Sequence, residues 1–231
     1  MAIAHVQTAF NSAATAVTSI SVTLTLTAGN AVIVTVLTYF QATVLTQTAG
    51  DTLTQRIHTI PGGLLADQWD NLSVAGGSTT FTFTLDNASS LAAMFVTEVS
   101  GLNSSNAFDQ SVIGTHNTAT THSTGTTAAT TAPNEILIAC LHLDAAGVTG
   151  GFSATNGFTI PTNGDQVGGG SNLKSGLAYN IVSATGTYET TLSVNDSSNG
   201  FAFMGTYSGP TLAAAGTGFV GPVFRSRMRE W

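Results

Sequence analysis

Asp67, Trp69, Asp70 and Asn71 are the residues whose types and spacing come nearest to a site, and they follow a Pro61-Gly62-Gly63 break. An exposed indole can stack on the apolar face of a pyranose while carboxylates and an amide take its hydroxyls. The same acids could chelate calcium, although their spacing is not that of an EF-hand loop. The competing expectation, which the sequence favours, is that Trp69 begins a strand and packs inward while the acids form a turn. The histidines are His5, His58, His116, His122 and His142. None is spaced from another so as to put two metal ligands on one short element, so surface or capping roles are expected and no metal is predicted. Neither a Gly-x-Ser-x-Gly elbow nor a His-Glu-x-x-His helix occurs. Paired carboxylates for glycoside cleavage would have to be chance pairs among many acids. Gly168-Gly169-Gly170 lacks the Gly-Lys-Ser/Thr sequence and the following helix of a phosphate loop and reads as a turn. Cys140, the single cysteine, lies in an apolar run and reads as a small core residue. The expectation is a protein that is not an enzyme, with no catalytic residue and no cofactor.

A second kind of chemistry, charge pairing, is concentrated at the C-terminus. Arg225, Arg227 and Arg229 are three of the five basic residues, set among Phe219, Val220, Val223, Phe224, Met228 and Trp231 beyond a Gly209-Pro210 break. The remaining chain carries Arg56 and Lys174 against eleven carboxylates. With Pro222 opening a helical turn, Phe224, Met228 and Trp231 would share one face. Ten residues are too few for a helix stable alone in water, so ordering requires a partner surface. Phe219, Val223, Phe224, Arg225, Arg227, Met228, Arg229 and Trp231 are therefore expected to form a docking arm, its aromatics filling pockets and its arginines meeting carboxylates of an acidic neighbour.

The elements that must carry these residues are strands. Charged residues make up 7% of the 231 residues, while threonine alone numbers 39. So acidic a body argues against nucleic acid as the partner. The absence of a long uninterrupted apolar run argues against a membrane-spanning helix. The hydrophobic content, 42%, exceeds that of disordered chains. Ile20, Val22, Leu24 and Leu26 alternate with serine and threonine over residues 19–27, and Phe81, Phe83 and Leu85 repeat the pattern. A period of two with one apolar face means half-buried strands, and threonine suits the wet face because its branched Cβ favours extended backbone. Gly-, Asn- and Ser-rich breaks recur at the spacing of β-sandwiches.

An internal duplication orders these strands. Ala28-Gly29-Asn30 before Val32-Ile33-Val34 matches Ala132-Pro133-Asn134 before Ile136-Leu137-Ile138 at a spacing of 104. Gly77 to Leu85 matches Gly186 to Val194, and Glu98-Val99-Ser100-Gly101 matches Thr206-Tyr207-Ser208-Gly209, at spacings of 109 and 108. The expected fold is an all-β, antiparallel, jelly-roll-like sandwich over residues 1–209, with halves of about 1–101 and 107–209 pairing around one shared core, and a C-terminal arm over 210–231. Val32–Leu37 and Ile136–Leu141 are apolar on both faces. Their second face must be covered by a loop, a third layer or another subunit, and its recurrence in both halves points to the subunit.

Residues 178–188, Ala178 to Tyr188, followed by Phe201-Ala202-Phe203-Met204-Gly205-Thr206-Tyr207, resemble the closing strands of a loosely defined β-sandwich class. Such domains occur in bacteriophage structural proteins and in bacterial secreted or surface proteins. Residues 27–34 and 131–138 are similar to its other recurring parts, so the resemblance spans about residues 1–209. It implies assembly or surface display and carries over no catalytic residue. The resulting expectation is a structural virion protein, a capsid decoration or fibre subunit made in the host cytoplasm and displayed on the virion. Its partners would be identical subunits and other virion proteins. The alternative is a carbohydrate-binding module of a phage tail or bacterial surface, centred on Asp67, Trp69, Asp70 and Asn71. The N-terminus lacks the basic and apolar regions of a secretory signal, which fits a virion protein, and fits equally a secreted or cell-surface protein already trimmed.

Overall fold

The computed structural model describes residues 2–13, 15–39, 43–89, 92–144, 148, 150–166 and 173–210. The first eight strands are β1 (Ala4–Ser12), β2 (Val17–Leu26), β3 (Ala31–Tyr39), β4 (Thr43–Gln47), β5 (Thr54–Thr59), β6 (Leu64–Asn71), β7 (Gly77–Ser89) and β8 (Ala92–Ser100). A single 3-10 turn, Pro61–Gly63, separates β5 from β6. The remaining six are β9 (Phe108–Ile113), β10 (Asn117–Ser123), β11 (Glu135–Asp144), β12 (Ser153–Ala154), β13 (Leu173–Val182) and β14 (Thr191–Ser208). All pairings are antiparallel. Sheet A runs β1-β8-β3-β6-β5 and sheet B runs β2-β7-β4. Sheet C runs β10-β14-β11-β13, with β9 and β12 also on β14.

The alternating strands behave as their pattern dictates. Ile20, Val22 and Leu26 of β2 and Phe81, Phe83 and Leu85 of β7 turn inward. On the wet face hydroxyls pair across the strands, Ser21 with Thr82 at 2.9 Å and Thr23 with Thr80 at 2.8 Å. Such cross-strand threonine pairs contribute a few tenths to about 1 kcal/mol each, so the threonine coat helps hold the sheet.

Among the described residues apolar surface is buried in three cores rather than one. Sheets A and C share a core containing Ile33, Leu37 and Phe95 from one and Ile138, Cys140 and Phe203 from the other. Val32, Val34, Val36, Met94 and Val96, on the opposite face of sheet A, pack on Ile20, Val22, Phe81 and Phe83 of sheet B. On the far face of sheet C, Leu137, Ala139, Leu141 and Met204 are covered by Val148, Phe152, Phe158, Leu192 and Val194. This corrects two expectations. The halves do not close around a single shared core, and the second face of each doubly apolar strand is covered from within the chain. Sheet B covers β3, and the start of β14 with Val148, Phe152 and Phe158 covers β11.

The strand order of the first half recurs in the second. β1-β8-β3-β6 and β2-β7-β4 correspond to β9-β14-β11-β13 and β10-β14-β12, β14 running continuously where β7 and β8 are separate strands. Bridges from Thr159 to Tyr179 and from Asp165 to Gly176 lay residues 159–165 beside β13 as β5 lies beside β6. The irregularities correspond too. Val17 pairs Ser89 and Ser19 pairs Thr84, while Ala119 pairs Ser198 and Thr121 pairs Ser193. An extra residue bulges β1 between His5 and Gln7, and β9 bulges opposite Gly205 and Tyr207. Bulges are specific local features, and here they mark corresponding positions.

Candidate functional site

Asp67, Trp69, Asp70 and Asn71 lie on β6, not in a loop, and alternation sets Asp70 on the opposite face from the other three. Trp69 packs against the core between sheets A and B, in line with the inward expectation, while the acids lie on the strand rather than in a turn. Asp67 is fully buried beneath His58, whose Nδ1 lies 2.7 Å from its Oδ1. Asp70 accepts a hydrogen bond from Arg56 Nε at 2.7 Å. Burial raises the Asp70 pKa, with the Arg56 guanidinium acting the other way. Asn71 Oδ1 accepts from the Ser73 backbone N–H at 2.9 Å. The four side chains are tied into the fold and do not converge on one exposed surface.

Beside them a chain of polar groups crosses the core between sheets A and C. The Tyr207 hydroxyl donates to Gln68 Oε1 at 2.9 Å, Gln68 Nε2 donates to Thr35 Oγ1 at 3.4 Å, and the Cys140 thiol lies 3.7 Å from the same hydroxyl. Gly205 leaves room for Gln68, since a Cβ there would stand 2.2 Å from Oε1. Burial pushes the Cys140 thiol up to about 12 and raises Tyr207 well above its ordinary range. Both are neutral packing groups.

The histidines serve separate places. His5 stacks on Tyr179 with ring centroids 4.5 Å apart. His116 lies over Gly62, where a Cβ would stand 2.3 Å from the ring. His122 and His142 are buried rather than surface or capping residues, which corrects the expectation for these two. Burial, with repulsion from His116, lowers His142 to about 3, so its imidazole is neutral. Among the described residues no group of three His, Cys, Asp or Glu side chains could hold a metal ion.

Two features were not found from sequence. The first is a carboxyl pair on sheet C. Glu135, fully buried at the start of β11, faces Asp109, which the β9 bulge carries toward it. Burial, and a hydrogen bond to Asp109 that requires a proton, raise Glu135 to about 7. Its buried Oε2 meets no hydrogen-bond partner among the described residues. Asp109 takes the anionic role. Burial works to raise it, but the Thr131 N–H at 2.6 Å and hydroxyl at 2.9 Å help hold it below the usual range. At the corresponding place in the first half the carboxylate is Glu98, which accepts from Gln7 at 2.6 Å, the Thr27 N–H at 2.8 Å and Asn30 at 2.7 Å. One hint was available: Glu135 is a lone acid opening an apolar run.

The second feature is an apolar groove of about 400 Å³ where the chain reaches Pro210. Ala2, Ile3, Ile181, Val182, Gly209 and Pro210 contribute to its walls. The predicted docking residues Phe219, Val223, Phe224, Arg225, Arg227, Met228, Arg229 and Trp231 lie outside the described residues. No protein-family model matches the chain, and neither a curated protein nor a solved structure does.

Proposed function

We propose that this chain is a non-enzymatic assembly protein, a tandem of two jelly-roll units whose C-terminal arm joins it to identical subunits on a virion surface. The observation that carries the reading is the doubled order of strands, 1-8-3-6 with 2-7-4, including its bulges. Eight strands in two sheets make a jelly roll, an architecture used by viral capsid and lectin domains. That is support by fold-level analogy. The surface chemistry agrees with it: a hydroxyl-rich coat with few charges on an acidic body, and a short arm carrying most of the cations. Carbohydrate binding at Trp69 is not carried forward, because Asp67, Asp70 and Asn71 are buried and the indole packs against the core between sheets A and B.

Removal of residues 218–231 tests the reading by light scattering and circular dichroism. The expected result is an unchanged β spectrum with loss of the oligomer. An oligomer of unchanged size in the truncated chain would overturn the docking arm.

A further inference from the structure

The two halves differ at one corresponding place, and the difference identifies an occupant for the groove. Asn71 of β6 lies opposite Val32, and Asn180 of β13 lies opposite Leu137. Val32 and Leu137 are themselves matched through Glu98 and Thr206, their partners on β8 and β14. Leu72 and Ile181, each next along, are therefore counterparts. Leu72 is 8% exposed and belongs to the core shared by sheets A and C, on which Leu102 packs just after Gly101. Ile181 is 42% exposed and borders the groove.

The covering chain accounts for this contrast. Gly101 and Gly209 directly follow corresponding strands, so Pro210 is the counterpart of Leu102. Pro210 lines the groove without closing it. Beyond Leu102 the sequence is polar, Asn103-Ser104-Ser105-Asn106, whereas beyond Pro210 it is Thr211-Leu212-Ala213-Ala214-Ala215. In extended chain, residues two apart face the same side, and two residues span about 7 Å. Leu212 is the first large apolar side chain to come within that reach.

We propose that Leu212 of the same chain fills the groove at Ile181, fixing the root of the arm on its own body so that only the residues beyond it extend to a neighbour. The last clause rests on the docking reading above; the anchorage does not. Cover of Ile3, Ile181 and Val182 supplies the driving force, since each buried aliphatic side chain gains free energy in proportion to the area removed from water. A free arm would instead leave an apolar recess open beside its own apolar stem.

The test is a pair of cysteines, Ile181→Cys with Leu212→Cys, in the full-length chain under mild oxidation. Cys140 stays in place as a buried, unreactive thiol. The expected result is loss of both introduced thiols to a disulfide within one chain, seen as a monomer on a non-reducing gel and placed by peptide mass. A disulfide-linked dimer would overturn anchorage in the same chain, and persistence of both free thiols would overturn seating at Ile181. A second variant, Leu212→Asp, is expected to lower the thermal midpoint by several degrees, and an unchanged midpoint counts against the proposal. An intramolecular disulfide in a chain that shows no oligomer would leave the anchor standing and refute the docking arm. The reverse pattern would do the opposite.

Discussion

Replacing Glu135 by glutamine should abolish a specific part of the pH dependence of stability. In the folded chain the Glu135 pKa stands at about 7 against 4.5 as the ordinary value. The native state therefore holds a proton through this interval that the unfolded chain has released. Stability must fall as pH rises from about 4.5 to about 7 and then level off, because above that range both states are ionised. At about 1.4 kcal/mol per pH unit the ceiling is about 3 kcal/mol. Asp109 lies at a partly open position, and solvent screening of the pair reduces the expected loss to about 1–2 kcal/mol. Glutamine keeps the shape and a donor toward Asp109 but cannot ionise. Urea unfolding at pH 5, 6, 7 and 8 measures the effect. The native chain is expected to lose 1–2 kcal/mol relative to Glu135→Gln between pH 5 and pH 8. Parallel profiles for the two proteins would refute the reasoning.

Other predictions follow from the same geometry. Glu98→Ala should cost about 3 kcal/mol, since it strands the Thr27 N–H and the amides of Gln7 and Asn30; a change below 1 kcal/mol in urea unfolding would count against it. Because these donors hold the folded Glu98 pKa down against burial, its contribution is present above about 4.5 and is lost as pH falls through the lowered folded value, opposite in sign to Glu135. Gly205→Ala should cost about 1–3 kcal/mol by pressing on Gln68 Oε1, and Gln68→Ala in the same chain should remove most of that increment. Cys140 should remain silent to a thiol reagent in the native protein at pH 8 and react only as fast as the chain unfolds.

Much of the architecture was legible because strands announce themselves by period. Residues 19–27 alternate, and β2 spans Val17–Leu26 with that alternation turned inward and outward as expected. The runs at 32–37 and 136–141 were correctly read as needing cover on two faces. What covers them was not legible, because a run apolar on both sides carries no mark of which neighbour meets which side. Register was also misread by one residue. Matching by sequence at a spacing of 104 sets Val32 against Ile136, whereas the ladders set Ala31 opposite Val99 and Ile136 opposite Tyr207. One residue moves a side chain to the opposite face, and only the ladder match puts Ile33 and Ile138 together in the shared core. At the Trp69 cluster the inward packing of the indole was legible, whereas the expected turn is a strand that buries Asp67, Asp70 and Asn71. Glu135 and Asp109 stayed hidden because a bulge, invisible in composition, brings them together.

β14 has a mechanical consequence. It is the strand that leads directly to Pro210, and it is flanked by β11 along one edge and by β9 and β10 along the other. Antiparallel hydrogen bonds run across the strand axis. Tension applied through the C-terminus along that axis would load both flanking ladders in shear, so many bonds must yield together instead of unzipping in succession. A subunit tethered by its tail would then resist extraction in proportion to the length of β14 engaged.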